Sequence, residues 1–191
     1  MILIIDNGSQ YTHLIKRNCR DMDFAAEIIN SSASLDEVLA KNPEKIILSR
    51  CPSSVYAPEE KSKVSEAVVK AVFQKRLDVP LLGICFGHQM IGHALGGKVE
   101  KGASAEYGIA KISVDREGTL LNGVPKEFNA WVSHFDEVKT APAGFGVLAH
   151  SQTCRVEAME NVEKRIFSVQ FHPEVWHTEN GENILQNFLK I

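Results

Sequence analysis

Three runs in the first half of the chain, MILII at 1–5, KIILS at 45–49 and VPLLGI at 79–84, are five or six residues long and apolar almost throughout. A half-exposed strand would alternate polar and apolar positions. An unbroken run this short reads as a strand buried on both faces. AAEIIN at 25–30 reads as a further strand, and helical patterns fall between the runs. A helix is expected from about Gln10 to Asp21, with Leu14, Ile15 and Cys19 inward. Ser34 and Glu37 have the spacing of a capping box that starts a short helix. From Pro58 to Arg76 comes the longest helix candidate, with Pro58 in its first turn and a stripe of Val64, Ala67, Val68, Ala71 and Val72. CFGHQMIGHAL forms the next helix, ended by Gly96 and Gly97. Strands alternating with helices imply a parallel sheet covered on both faces.

The second half changes character. AKISVD, FNAWVSH, GFGVLAHS, RVEAME and RIFSVQF are strand-like runs joined by short polar turns, the pattern of antiparallel strands and hairpins. A last amphipathic helix is expected from Glu179 to Lys190, burying Ile184, Leu185, Phe188 and Leu189. The reading is a three-layer α/β protein with an antiparallel extension. No repeat or low-complexity linker divides its 191 residues, so the whole of 1–191 is read as one domain.

Composition removes several function classes. A net charge of −3 provides no basic footprint for nucleic acid. No segment approaches the roughly 20 apolar residues needed to span a bilayer, and the cytoplasm is the expected location. Cys19, Cys51, Cys85 and Cys154 show no C-x-x-C spacing, so neither a disulfide framework nor a zinc site is expected. His88 and His93, like His172 and His177, are five apart and do not share a helix face, so no metal is expected. His13 and His150 read as surface or cap residues.

The chemistry concentrates in GICFG at 83–87, a cysteine between two glycines where an apolar strand meets a helix. It has the form of a nucleophile elbow, a sharp turn that lifts a reactive side chain above the sheet while the glycines avoid clashes across the bend. A thiol there faces unpaired helix N–H groups and the positive end of the helix dipole, which favour the nucleophilic thiolate. Those N–H groups, beginning with that of Phe86, suit the oxyanion of a tetrahedral intermediate. Cys85 is therefore a candidate nucleophile, the alternative being a small apolar residue in a tight strand–helix contact.

A nucleophilic cysteine needs a base. In IFSVQFHPE, period 2 places Ser168, Gln170 and His172 on one face, with Glu174 returning to that side just past the strand end. A carboxylate there can accept the second imidazole N–H and fix the tautomer. Cys85, His172 and Glu174 are the candidate triad, the alternative for the last two being a solvated His–Glu pair.

G-x-C-x-G-x-Q and H-P-E together resemble the class I, or triad, glutamine amidotransferases. DNGSQYTHLIKR, EYG, WVSHFDEV and HPEVWHTENGENILQNF extend the resemblance over essentially the whole chain and toward the family's GMP synthase branch. The chain stops one residue after NFLK, which is similar to the separate glutaminase subunit of archaeal members of that branch. The resemblance implies a flavodoxin-like, mostly parallel sheet. It implies attack by Cys85 on the side-chain amide of glutamine, with His172 and Glu174 as base and orienter. It further implies glutamine contacts from Gln89 and from Ser133, His134, Phe135 and Asp136, and a second oxyanion N–H from Cys51. The implied partner is an ATP-pyrophosphatase synthetase subunit, which would carry ATP and magnesium and convert XMP to GMP, with no cofactor in this chain.

Two departures from the family pattern stand out. Arg50 and Cys51 occupy positions where the family usually has Gly-Gly, so the oxyanion loop is expected to need resetting by the partner. Phe135 stands where the branch usually has glycine and narrows the pocket mouth. Two other classes fit the chain: an amidotransferase for another acceptor or a related γ-glutamyl hydrolase or peptidase, which would keep Cys85 and His172, and a non-catalytic partner-binding module, which would keep only the fold and the partner surface.

Overall fold

A computed structural model describes residues 1–56 and 63–191. The expected first turn at Pro58 lies outside the described residues. In chain order the elements are β1 (Ile2–Asp6), α1 (Thr12–Asp21), β2 (Ala26–Asn30), α2 (Leu35–Ala40), β3 (Lys45–Leu48), α3 (Lys63–Phe73) and β4 (Leu81–Ile84). There follow α4 (Phe86–Ala94), β5 (Lys98–Val114), β6 (Glu127–Thr140), β7 (Gly146–His150), β8 (Ala158–Asn161), β9 (Ile166–Val169) and α5 (Gly181–Leu189). The described strands form one nine-stranded sheet in the order β2-β1-β3-β4-β9-β8-β7-β5-β6.

The apolar runs do what their unbroken pattern requires. Alternate residues of β1 feed opposite faces: Ile2 and Ile4 join Ile15, Cys19, Ile184 and Phe188 under α1 and α5. Leu3 and Ile5 join Val38, Val64, Val68 and Met90 under α2, α3 and α4. The result is a helix–sheet–helix sandwich with a core on each side, the three layers the sequence implies. The Ser34–Glu37 capping box is formed in both directions, and it starts α2.

Three features differ from the sequence expectation. β5 and β6 run far beyond AKISVD and FNAWVSH and pair antiparallel over most of their length, with register shifts at Lys98/Val99 and between Lys101 and Glu106. Much of this ribbon is exposed, and Gly102, Ser104 and Gly108 dilute its strand signal. β8 begins at Ala158, not at Arg155. β9 is antiparallel to β8 but parallel to β4, so it belongs to the parallel half of the sheet. All four of its residues are buried, as a central strand covered on both faces requires.

The β9–β4 pairing positions the site. Ile84 sits opposite Val169, and the N–H of Cys85 donates to the Val169 carbonyl at 2.9 Å. Cys85 and the chain leading to His172 therefore leave adjacent central strands at the same end of the sheet, where open α/β sheets hold their ligands.

Candidate active site

Cys85 is the N-cap residue of α4, with φ 54° and ψ −102°, a backbone conformation costly for a side chain bearing Cβ. The turn is possible because its neighbours lack side chains. A Cβ on Gly83 would lie 2.5 Å from the Gly87 carbonyl carbon and oxygen, and one on Gly87 would lie 2.6 Å from the Leu48 carbonyl oxygen. β4, α4 and β3 thus approach closely enough to hold Cys85 on a nucleophile elbow. The sulfur does not stand proud of the sheet: Cys85 is only 3% exposed and forms part of the floor of a cavity of about 300 Å³. That volume is at the small end for ligand sites. As the first residue of α4, Phe86 has an N–H outside the intrahelical ladder, beside the sulfur.

His172 lies beyond the end of β9 and is held by its backbone. Its N–H donates to the Trp131 carbonyl at 2.9 Å, and the Thr178 hydroxyl donates to its carbonyl at 2.6 Å. Nδ1 is 2.8 Å from Glu174 Oε1, and both side chains are buried. Tyr11 packs edge-on against the imidazole with ring centroids 5.3 Å apart. Nε2 is buried without a hydrogen-bond partner among the described residues. Burial pulls the imidazole toward its neutral form, but the Glu174 carboxylate, followed by Cys85, outweighs it and raises the His172 pKa to about 10. Catalytic hydrogen bonds are often longer before substrate binds.

The same cavity is lined by Cys51, Gln89, Ser133, His134, Phe135 and Asp136, so the residues singled out around the cysteine converge on one space. Gln89 is 5% exposed and its amide donates to the Asp136 carbonyl at 2.6 Å and to Gln170 Oε1 at 3.1 Å. Gln170 in turn donates to Cys85 Sγ at 3.6 Å. The Ser133 carbonyl lies 3.9 Å from the same sulfur. The ring of His134 is already engaged, with Nδ1 3.1 Å from the Asp136 carbonyl and Nε2 2.8 Å from Glu106 Oε2. Neither Arg50 nor Cys51 has a positive φ, so the loop rests in a conformation open to ordinary residues. The Arg50 Nε is buried without a partner among the described residues.

Three supports of the site escape sequence reasoning. Alternation puts Gln170 on the His172 face, but its contact with Cys85 depends on β9 lying beside β4. Tyr11 comes from the start of α1, and nothing local couples it to His172. Glu106, within EYG, reaches His134 only because β5 pairs with β6.

His88, on the buried side of α4, is a core residue. Its Nε2 lies 3.0 Å from the Val156 carbonyl and its Nδ1 2.8 Å from Ser168 Oγ, so Nε2–H donates and Nδ1 accepts in the neutral form. Burial holds its pKa down from 6.5 to about 3. A folded-state value below the unfolded one gives stability that is fully present above about pH 6.5 and is lost as pH falls toward 3. Urea denaturation should show a loss approaching about 1.4 kcal/mol per pH unit below pH 6.5 from this group. His88→Asn should flatten that dependence.

Comparison with known proteins places these features in a family. The family model for glutamine amidotransferase class-I matches residues 3–191. A protein of Methanocaldococcus jannaschii, one subunit of its GMP synthase (glutamine-hydrolyzing), is 45% identical over 100% of this chain and 97% of its own length. Its counterpart in Pyrococcus abyssi is 44% identical over 100% of this chain and 98% of its own. The longer GMP synthase (glutamine-hydrolyzing) of Alkaliphilus metalliredigens is 43% identical over 99% of this chain, which spans 36% of that protein. A crystal structure described as a GMP synthase subunit from Thermoplasma acidophilum superposes with a TM-score of 0.88 and 31% identity, over 99% of this chain and 92% of that one.

Proposed function

Since the chain belongs to the class I glutamine amidotransferases, we propose that it is the glutaminase subunit of a two-subunit GMP synthase, releasing ammonia for a separate ATP-dependent synthetase subunit that converts XMP to GMP. What carries the reading is the union, at one end of two paired central strands, of a cysteine on a strained elbow with a buried His172–Glu174 pair at 2.8 Å.

Cys85 Sγ attacks the side-chain amide carbon of glutamine. The oxyanion is met by the N–H groups of Phe86 and Cys51. His172, its imidazolium stabilised by Glu174, gives its proton to the leaving nitrogen, and ammonia departs. The γ-glutamyl thioester is then attacked by water, whose proton His172 takes, and glutamate and the thiol are restored. Gln89 has committed both amide hydrogens to protein acceptors, so its carbonyl oxygen meets the substrate. Ser133, His134, Phe135 and Asp136 form the wall that receives the amino-acid end, with the Asp136 carboxylate for the ammonium. His134 serves through its backbone, because both ring nitrogens face protein groups. The chain needs no cofactor for these steps, and ATP and magnesium belong to the synthetase subunit.

The Arg50–Cys51 loop sets the regulation. With no positive φ at either residue, an N–H turned into the site demands a peptide rotation that costs a substituted residue about 1–2 kcal/mol. Docking of the synthetase subunit offsets that cost. Ammonia release from glutamine should rise about 5–30-fold when the synthetase subunit, ATP, magnesium and XMP are added, which is that cost converted to a rate. Equal rates with and without the partner would reject the regulatory reading. GMP formed from glutamine by the mixture tests the assignment itself.

A further inference from the structure

Glu106, His134, Cys154 and Glu157 bring one ligand-type atom each to within 4.8 Å of one another, behind the wall of the Cys85 cavity. They come from β5, β6 and the segment between β7 and β8, so no local spacing in the sequence announces them. Cys154 and Glu157 are wholly buried. Both carboxylate oxygens of Glu157 are buried with no hydrogen bond among the described residues. A carboxylate in that position needs a cation or a proton to offset its desolvation.

The imidazole beside it is oriented as a ligand would be. A carbonyl only accepts, so the 3.1 Å contact of Nδ1 with the Asp136 carbonyl places the ring hydrogen there. Nε2 then faces Glu106 Oε2 across 2.8 Å, a contact closed by a proton in the empty site, and one that an ion entering the cluster would open and replace. An imidazole whose far N–H is held by a backbone carbonyl is the usual orientation of a metal ligand. Glu106 is supported in the same manner, since the Ser151 hydroxyl donates to its Oε1 at 2.6 Å and the Thr153 hydroxyl donates to the same oxygen.

We propose that these four residues form a structural site for a zinc-class divalent transition-metal ion. One imidazole, one thiolate and two carboxylates are a borderline-soft donor set, which suits zinc and disfavours magnesium or calcium. Four protein ligands leave no open position, which marks a structural site and not a Lewis-acid centre. Around tetrahedral zinc the ligand atoms stand about 3.3–3.8 Å apart, given bonds of about 2.0–2.3 Å. From a spread of 4.8 Å the cluster reaches that spacing by side-chain shifts of about 1 Å. The ion would tie the β5–β6 ribbon to the 151–157 segment and so brace Ser133–Asp136 from behind.

The test uses the full chain, stripped with a chelator and checked by circular dichroism for a retained fold, then titrated with Co2+ as a spectroscopic substitute for zinc. One equivalent should bind with a thiolate-to-cobalt charge-transfer band, and Zn2+ should displace it and raise the melting temperature. Cys154→Ser should remove the band. Glu157→Gln, which keeps the side-chain shape, should weaken Co2+ binding by more than about 100-fold, beyond the loss from a merely supporting partner. Cys51→Ser should leave the band in place. A stripped, folded chain that takes up no Co2+, or a band that survives Cys154→Ser, overturns the site and assigns the cluster to a proton shared by Glu106 and Glu157.

Discussion

Cys85→Ala should abolish glutamine-dependent ammonia release, with a fall in kcat of at least about 10⁴-fold, while GMP formation from free ammonia by the assembled synthetase continues. Removal of a triad nucleophile costs this much because the covalent route disappears, leaving only the contribution of binding and the oxyanion donors. The alanine side chain fits where a buried cysteine sat, so the fold should survive. Glutamate release and ammonia-driven GMP synthesis, assayed on the same preparation, separate loss of chemistry from loss of docking. If the variant hydrolyses glutamine at the wild-type rate, the thiol is not the nucleophile and the proposed mechanism falls. His172→Ala should fall nearly as far, and the double variant no further, because members of a triad act as one unit.

The second large effect falls on the fold. Gly87→Ala places a methyl 2.6 Å from the Leu48 carbonyl oxygen and 2.8 Å from Leu48 Cβ, and the first of these is backbone in a central strand. Gly83→Ala meets the Gly87 carbonyl carbon and oxygen at 2.5 Å. Neither obstacle is the movable end of a side chain, so relief requires α4 to lift from the sheet. Overpacking of this kind costs about 3 kcal/mol or more, and each kcal/mol lowers the melting temperature of a chain this size by about 2–4 °C. Thermal melts should therefore drop by about 6–12 °C for either variant. The double variant should cost less than the sum, since a single displacement of α4 relieves both clashes. Melting within about 1 °C of wild type would show that the close approach is not what these glycines serve.

The parts of the fold legible in the sequence are those whose cause is local. MILII, KIILS and LLGI announce buried strands because every side chain meets a helix layer, and Ser34 with Glu37 announces a helix start because the cap is closed within four residues. The extent of β5 and β6 is not legible: its exposed residues carry no burial pattern, and its register comes from the partner strand. The parallel pairing of β9 is likewise hidden, because a fully buried strand reads the same in either direction. At the site, GICFG names its own bend, since the glycines and the cysteine are neighbours in sequence. His172 and Glu174 emerge from alternation and from family resemblance. Gln170's bond to sulfur, Tyr11 against the imidazole, and the meeting of Glu106 with His134, Cys154 and Glu157 depend on distant segments that only the sheet order joins.

The Ile84–Val169 register has a mechanical meaning. Sulfur and imidazole follow one and three residues after the last pair of that ladder, so their spacing is counted in a few peptide units and inherits the stiffness of the sheet interior. The residues proposed to respond to the partner, at 50–54, lie in a loop outside the sheet. A rigid middle and a separate loop let one machine be switched without losing its alignment.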